Sequence, residues 1–200
     1  MSYAPIEALA RELADLANRV DPAVADAVGD RALDAVGLAD EAWQLPSPLG
    51  SVWVARSRRG VSYLCPHELD EFTSEFRART GRPLRVRAAG EADPVLRQAV
   101  AGADGRGLEV DLRAVTGFQR EVLEAVREIP AGEVRAYAEV AELVGRPRAV
   151  RAVGTALARN PVPLLVPCHR VVRTDGSVGQ YALGPAAKVA LLRVEGVAVP

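Results

Sequence analysis

The chain has 200 residues, 49% hydrophobic and 26% charged, with 25 basic side chains against 26 acidic. That length and apolar content give a folded protein of one large or two small domains, not a disordered one. Apolar runs stop after a handful of residues (162–166, for instance), which excludes a membrane-spanning segment, and two cysteines exclude a disulfide framework.

The opening Met1-Ser2-Tyr3-Ala4-Pro5 offers neither a basic nor an apolar leader, so a cytoplasmic protein is expected. Charge is uneven along the chain. Residues 1–50 hold three basic and nine acidic side chains, and residues 113–200 hold twelve and eight. Six arginines and no acid lie between Arg146 and Arg173, a local footprint for a polyanion.

The elements follow in order. Residues 1–45 read as an acidic helical extension: Ile6, Leu9, Leu13, Leu16 and Val20 recur at helical spacing, and an Ala/Val/Leu segment continues from Ala23 to Trp43. Residues 46–112 read as a small α+β domain. Ser51–Ala55 and Val61–Leu64 flank Arg58-Arg59-Gly60 as a β-hairpin, Leu84–Arg87 alternates like a strand, and Pro94–Val100 reads as a short helix. Cys65-Pro66-His67 and the nearby Glu68, Asp70 and Glu71 are read as structural.

Residues 113–200 turn helical. Thr116-Gly117-Phe118-Gln119 fits a capping box, and Phe118, Val122, Val126 and Ile129 share a face. A second helix runs from Tyr137 to Val144 and ends at Gly145; Pro147 opens a third, which Asn160-Pro161 stops. Two short helices around Gly145-Arg146-Pro147 have helix-turn-helix dimensions. On the third, Val150, Val153 and Leu157 are assigned to a core, Arg148, Arg151 and Thr155 to the opposite face. The small Ala152 and Gly154 let the backbone approach a partner closely.

A proline-punctuated segment, residues 161–167, then leads into Cys168-His169-Arg170. A thiol needs a base or a positive field to be a useful nucleophile, and His169 and the arginines are at hand. Neighbours on an extended strand point to opposite faces, so either the chain turns at Cys168 or His169 reaches it through water. Taken alone, Cys168 fits a buried small hydrophobe equally well.

The wider pattern separates these readings. Phe118-Gln119-Arg120, Ile129-Pro130-Ala131-Gly132-Glu133 with Tyr137, Arg151-Ala152-Val153-Gly154, Asn160-Pro161 and Pro167-Cys168-His169-Arg170-Val171 follow one another. Asp175-Gly176-Ser177, Gly179, Tyr181 and Leu191-Leu192 before Glu195-Gly196 complete the series. This run resembles the C-terminal domain of the O⁶-alkylguanine-DNA alkyltransferases; upstream, Ser47-Pro48-Leu49-Gly50 resembles the family's variable N-terminal domain. The resemblance implies an α+β protein, a small ribonuclease H-like domain followed by a helical, winged helix-turn-helix alkyl-acceptor domain. It implies direct-reversal DNA repair: one irreversible transfer of a methyl or other alkyl group from O⁶-alkylguanine, and from O⁴-alkylthymine, to Cys168. The alternative is a non-catalytic damage sensor that binds alkylated DNA.

Roles then follow from the resemblance alone. Cys168 is the acceptor, His169 its base, Glu195 the carboxylate that orients His169, Asn160 the support of the turn, and Tyr137 a donor to the departing base. Arg151 is the finger that replaces the extruded nucleotide, with Arg146, Arg148, Ala152, Gly154 and Thr155 on DNA in the minor groove. Tyr181, Val171, Arg170, Pro163 and Gly179 are assigned to the alkyl pocket. The expected partner is double-stranded DNA bound by a monomer, without cofactor and away from membranes. Some relatives hold a structural zinc; counting Cys65, His67, Cys168 and His169 as the available ligands, no metal is expected here.

Overall fold

A computed structural model describes residues 39–198 and Gly29. The helical reading of residues 1–38 therefore lies, apart from Gly29, outside the described residues. Three strands, β1 (Asp40–Ser47), β2 (Gly50–Ser57) and β3 (Gly60–Cys65), form an antiparallel meander. The helix expected up to Trp43 gives way to β1 at Asp40, because the Pro48-Leu49 turn pairs Glu41–Ser47 with Gly50–Arg56 in register. β4 (Leu84–Val86) joins β1 in parallel, giving the order β3-β2-β1-β4.

The pleat sends alternate side chains to two cores. From β2, Trp53 and Ala55 meet Phe72 and Phe76 of α1 (Leu69–Thr80), while Val52 and Val54 join Leu64, Leu96 and Val100 on the other face. The second core runs on without interruption into the C-terminal helices. α1 has no counterpart in the sequence reading; its buried residues are two phenylalanines one turn apart, and Gly81 ends it in the left-handed region at φ 66°. α2 (Pro94–Val100) is capped by the Asp93 carboxylate, which accepts from Val95 N at 2.8 Å.

The outer edge of β3 is covered by chain, not by another strand of the sheet. Val61 N donates to Glu109 O at 2.9 Å and Leu64 N to Pro161 O at 2.8 Å, so the segment leading to Cys168 is fastened to the sheet. Gly60 is required there: a Cβ on it would stand 2.3 Å from Glu109 O. Two buried carboxylates close the same end, Asp40 accepting from Ser62 Oγ at 2.7 Å and sharing Arg82 with Asp111.

Helices α3 (Gly117–Arg127), α4 (Tyr137–Leu143), α5 (Val150–Ala158) and α6 (Pro185–Val194) follow, with a two-stranded parallel ladder of β5 (Arg135–Ala136) and β6 (Val171–Val172). Thr116 caps α3, its hydroxyl accepting from Gln119 N at 3.3 Å. Gln119 does not complete the capping box. Its Nε2 instead donates to Ala156 O and Arg159 O, tying α3 to the end of α5. α5 begins at Val150 rather than Pro147, since Pro147 and Arg148 form a turn closed by Ala149 N on Arg146 O at 2.8 Å. Val150 is exposed, not in the core assigned to it, whereas Val153 and Leu157 are buried as expected.

Candidate active site

Cys168, His169 and Arg170 form a single 3₁₀ turn between Pro167 and β6. The chain therefore turns at the cysteine, and Cys168 N bonds back to Val166 O at 2.8 Å. Asn160 holds this turn from inside. Its Nδ2 donates to Val166 O at 2.8 Å and to Cys168 Sγ at 3.1 Å, and its Oδ1 accepts from Val162 N at 3.0 Å. One buried amide thus fixes both limbs of the segment and the sulfur between them. Leu164, the one non-glycine residue with positive φ (73°) among the described residues, lies in the same segment, a conformation costing about 1–3 kcal/mol that the surrounding packing must impose.

Burial pushes the Cys168 thiol up to about 11, although the Asn160 hydrogen bond and the Lys188 charge pull it down. The resting site is a neutral thiol. His169, 2% exposed, places Nε2 2.9 Å from Glu195 Oε1, and its Nδ1 is buried without a protein partner. Burial also lowers the pKa of His169, so the imidazole is neutral at pH 7 and able to accept a proton.

Glu195 follows α6 directly and receives more than His169. Arg170 Nε and Nη2 reach its two oxygens at 3.0 and 2.7 Å, and Arg170 Nη1 donates to Ile129 O. Burial works to raise the Glu195 pKa, but the hydrogen bonds from His169 and Arg170 outweigh it and hold it near 2. Arg170 is therefore a buried partner of the carboxylate behind the histidine, not a pocket residue.

The sulfur opens onto a cavity of about 500 Å³ lined by Tyr137, Val150, Arg151, Gly154, Thr155, Leu157, Cys168, Arg173, Tyr181 and others. That volume lies in the range of small-molecule pockets. Of the five expected pocket residues, Tyr181 lines it. Val171 and Pro163 are buried, and Gly179 stands behind Tyr137, where a Cβ would come within 3.3 Å of the ring. Tyr137 donates to Gln180 O at 3.2 Å; burial and the nearby cysteine raise its pKa, so it remains a proton donor. Arg151, Gly154 and Thr155 line the cavity on α5, and among the described residues nothing holds the Arg151 guanidinium. Ala152 and Arg148 are exposed, whereas Arg146 pairs with Glu121 at 3.1 Å and lies over the Phe118 ring.

Sequence reasoning missed Lys188. It is the single lysine among 25 basic residues, fully buried on α6, donating to Val171 O and lying 5.5 Å from the centre of the Tyr137 ring. That isolation in an arginine-rich chain was the available signal: an ammonium shifts its pKa readily on burial, whereas a guanidinium stays charged. Burial lowers its pKa to about 8, partly countered by Cys168. Its charge is thus largely present at pH 7 and fades as pH rises through 8. Lys188→Met should slow alkylation of the Cys168 sulfur about tenfold or more by removing the positive field beside it. The melting temperature should change little, because a buried charge leaves together with one hydrogen bond. An unchanged alkylation rate would make Lys188 a packing residue.

Residues 117–197 match the family model described as "6-O-methylguanine DNA methyltransferase, DNA binding domain". A methylated-DNA–protein-cysteine methyltransferase of Methanosarcina acetivorans is 35% identical over 161 residues, which cover 75% of this chain and 94% of the relative. The chain belongs to the methylated-DNA–protein-cysteine methyltransferase family. A crystal structure of Mycobacterium tuberculosis OGT in complex with DNA, 33% identical, superposes with a TM-score of 0.61 over 78% of this chain and 92% of that one. The bifunctional transcriptional activator/DNA repair enzyme Ada of Escherichia coli is 36% identical over 74% of this chain, which spans 43% of Ada. Among the described residues the chain is mixed α+β, with a small sheet and six α-helices, in keeping with the superposition on OGT.

Proposed function

We propose that the chain repairs DNA by direct reversal, moving an alkyl group from O⁶ of guanine in a duplex onto Cys168 as a methylated-DNA–protein-cysteine methyltransferase. One observation carries this reading: the reactive sulfur floors a base-sized cavity, next to an imidazole already oriented by a carboxylate. The thiol proton passes through water to Nδ1 of His169, the nitrogen left free by Glu195. The thiolate attacks the alkyl carbon in line, the bond from carbon to O⁶ breaks, and the electron pair leaves with guanine. Tyr137 donates to the departing base as charge develops. The product is a thioether, which no group in the site reverses, so each chain acts once.

A base within the stack cannot meet the sulfur, so it must be extruded into the cavity. Arg151, an exposed residue of the cavity lining, takes its place, with Arg148, Ala152, Gly154 and Thr155 against the minor groove. Arg146 contributes through its hold on α3. A sensor that only binds DNA needs no thiol, and Cys168 with its polar surroundings favours transfer over that alternative. O⁴-alkylthymine fits the same chemistry. We further propose a ribonuclease H-like sheet, supported by its strand order, and a winged helix-turn-helix acceptor domain from about residue 113, supported by α4, α5 and the β5–β6 ladder. The protein works as a cytoplasmic monomer; no helix among the described residues is long and apolar enough to cross a membrane.

The test is intact mass after exposure to excess O⁶-methylguanine duplex. One methyl per chain, located on Cys168, is expected; methyl on Cys65 or repeated turnover would overturn the reading. Arg151→Ala should slow duplex repair by about tenfold or more, since unstacking costs about a few kcal/mol and the filler is lost. Its reaction with free O⁶-benzylguanine, which needs no extrusion, should stay within about twofold. Equal loss on both substrates would place Arg151 in the pocket rather than in the stack.

A further inference from the structure

We propose that Cys65, His67 and Glu75 bind one divalent transition metal of the zinc type, with water completing the shell, at a site separate from the reactive cysteine. Cys65 ends β3, His67 follows two residues on, and Glu71 and Glu75 lie one turn apart on α1, so strand end and helix face converge. The ligand atoms of Cys65, His67 and Glu75 lie within 4.8 Å of one another. His67 Nδ1 stands 3.2 Å from Glu75 Oε2 and 3.6 Å from Glu71 Oε1.

The separation between His67 and Glu75 is close to that of two ligands in one coordination shell. With bonds of about 2.0–2.3 Å to nitrogen, oxygen and sulfur, neighbouring vertices of a tetrahedron lie about 3.3–3.8 Å apart. A second observation points the same way: His67 Nδ1 is buried and has no hydrogen-bond partner despite two carboxylates beside it. The Tyr63 hydroxyl donates to Glu75 Oε2, the kind of outer hydrogen bond that orients a ligating carboxylate. One thiol, one imidazole and one carboxylate form a donor set for zinc rather than for calcium or magnesium.

The site was invisible in sequence because only Cys and His were counted, and the second cysteine and histidine belong to the reaction. The fold supplies the missing ligand from α1. Binding would displace the Cys65 thiol proton to solvent and fasten α1 to the end of β3, where Phe72 and Phe76 otherwise hold it.

The experiment titrates the full chain, stripped with chelator, with zinc chloride and with cobalt(II) chloride. One zinc per chain in native mass spectrometry, a thiolate-to-cobalt charge-transfer band and a raised melting temperature are expected. Cys168→Ser should retain all three. His67→Ala, at a position about one-third exposed and therefore tolerant of change, should fold like wild type without metal and lose all three responses. Tyr63→Phe should weaken affinity by about 10–100-fold. Failure of the wild type to take up stoichiometric metal overturns the proposal, as does uptake that survives His67→Ala or vanishes in Cys168→Ser.

Discussion

Cys168→Ser should bind alkylated duplex as the wild type does and transfer no detectable alkyl group. The substitution keeps the volume and the Asn160 contact within reach, so the 3₁₀ turn should persist. What disappears is the nucleophile. Burial already pushes the thiol up to about 11, and the site manages it with a neutral base, an amide donor and one ammonium. An alcohol starts several pH units further from its anion and is intrinsically the weaker nucleophile toward saturated carbon, so the same three devices are insufficient. Single-turnover assays over hours, with binding measured in parallel by fluorescence anisotropy, check both halves. Measurable transfer by the serine variant would show that the acceptor lies elsewhere. His169→Ala, by comparison, should retain a slow transfer, reduced by about 10² or more, the range for a lost general base.

How far the sequence reached can be judged residue by residue. Elements set by local chemistry were legible: the hairpin at Arg58-Arg59-Gly60, α2 behind Asp93 and Pro94, and α4 ending at Gly145. β1 was misread because Asp40-Glu41-Ala42-Trp43 suits a helix on propensity, and only pairing with β2 makes it a strand. α1 escaped because its exposed face is charged and its buried face is two residues wide. At the site, Cys168, His169 and Glu195 were legible as a family pattern. Arg170 on Glu195 and Lys188 beside the sulfur were not, since each link joins residues 17 or more positions apart and exists only after folding. The pocket assignment suffered for the same reason. Val171 and Pro163 sit close to Cys168 in sequence yet are buried away from the cavity lining, while Val150 and Thr155, from a different helix, line the cavity.

Glu195→Gln should cost more stability than activity arguments alone would assign. If Glu195 only oriented His169, a glutamine that keeps one hydrogen bond would be mild. The carboxylate, however, also neutralises Arg170, which is 9% exposed and bound bidentately. Removing one member of a buried pair leaves the other charge uncompensated, a loss of about 3–5 kcal/mol. Denaturant unfolding should show it as a lower midpoint at unchanged slope. The pH dependence gives a second signature. Glu195 is held near 2 in the folded chain against an ordinary value of 4.5, so its stabilisation is complete above 4.5 and lost as pH falls toward 2. His169 acts in the same direction at higher pH: burial lowers its pKa, the unfolded chain takes up the proton first, and stability falls below about pH 6.5. The wild type should therefore lose stability in two stages on acidification, and Glu195→Gln should show a smaller lower stage. The remainder comes from other paired carboxylates such as Asp111, which, against burial, Arg113 and Ser57 hold below the ordinary range. The double variant Glu195→Gln, Arg170→Met removes both charges and should recover much of the stability while transfer stays impaired, because His169 still lacks its carboxylate. If the double variant is no more stable than Glu195→Gln alone, the buried charge of Arg170 is not what the carboxylate offsets, and the cost lies in the His169 contact.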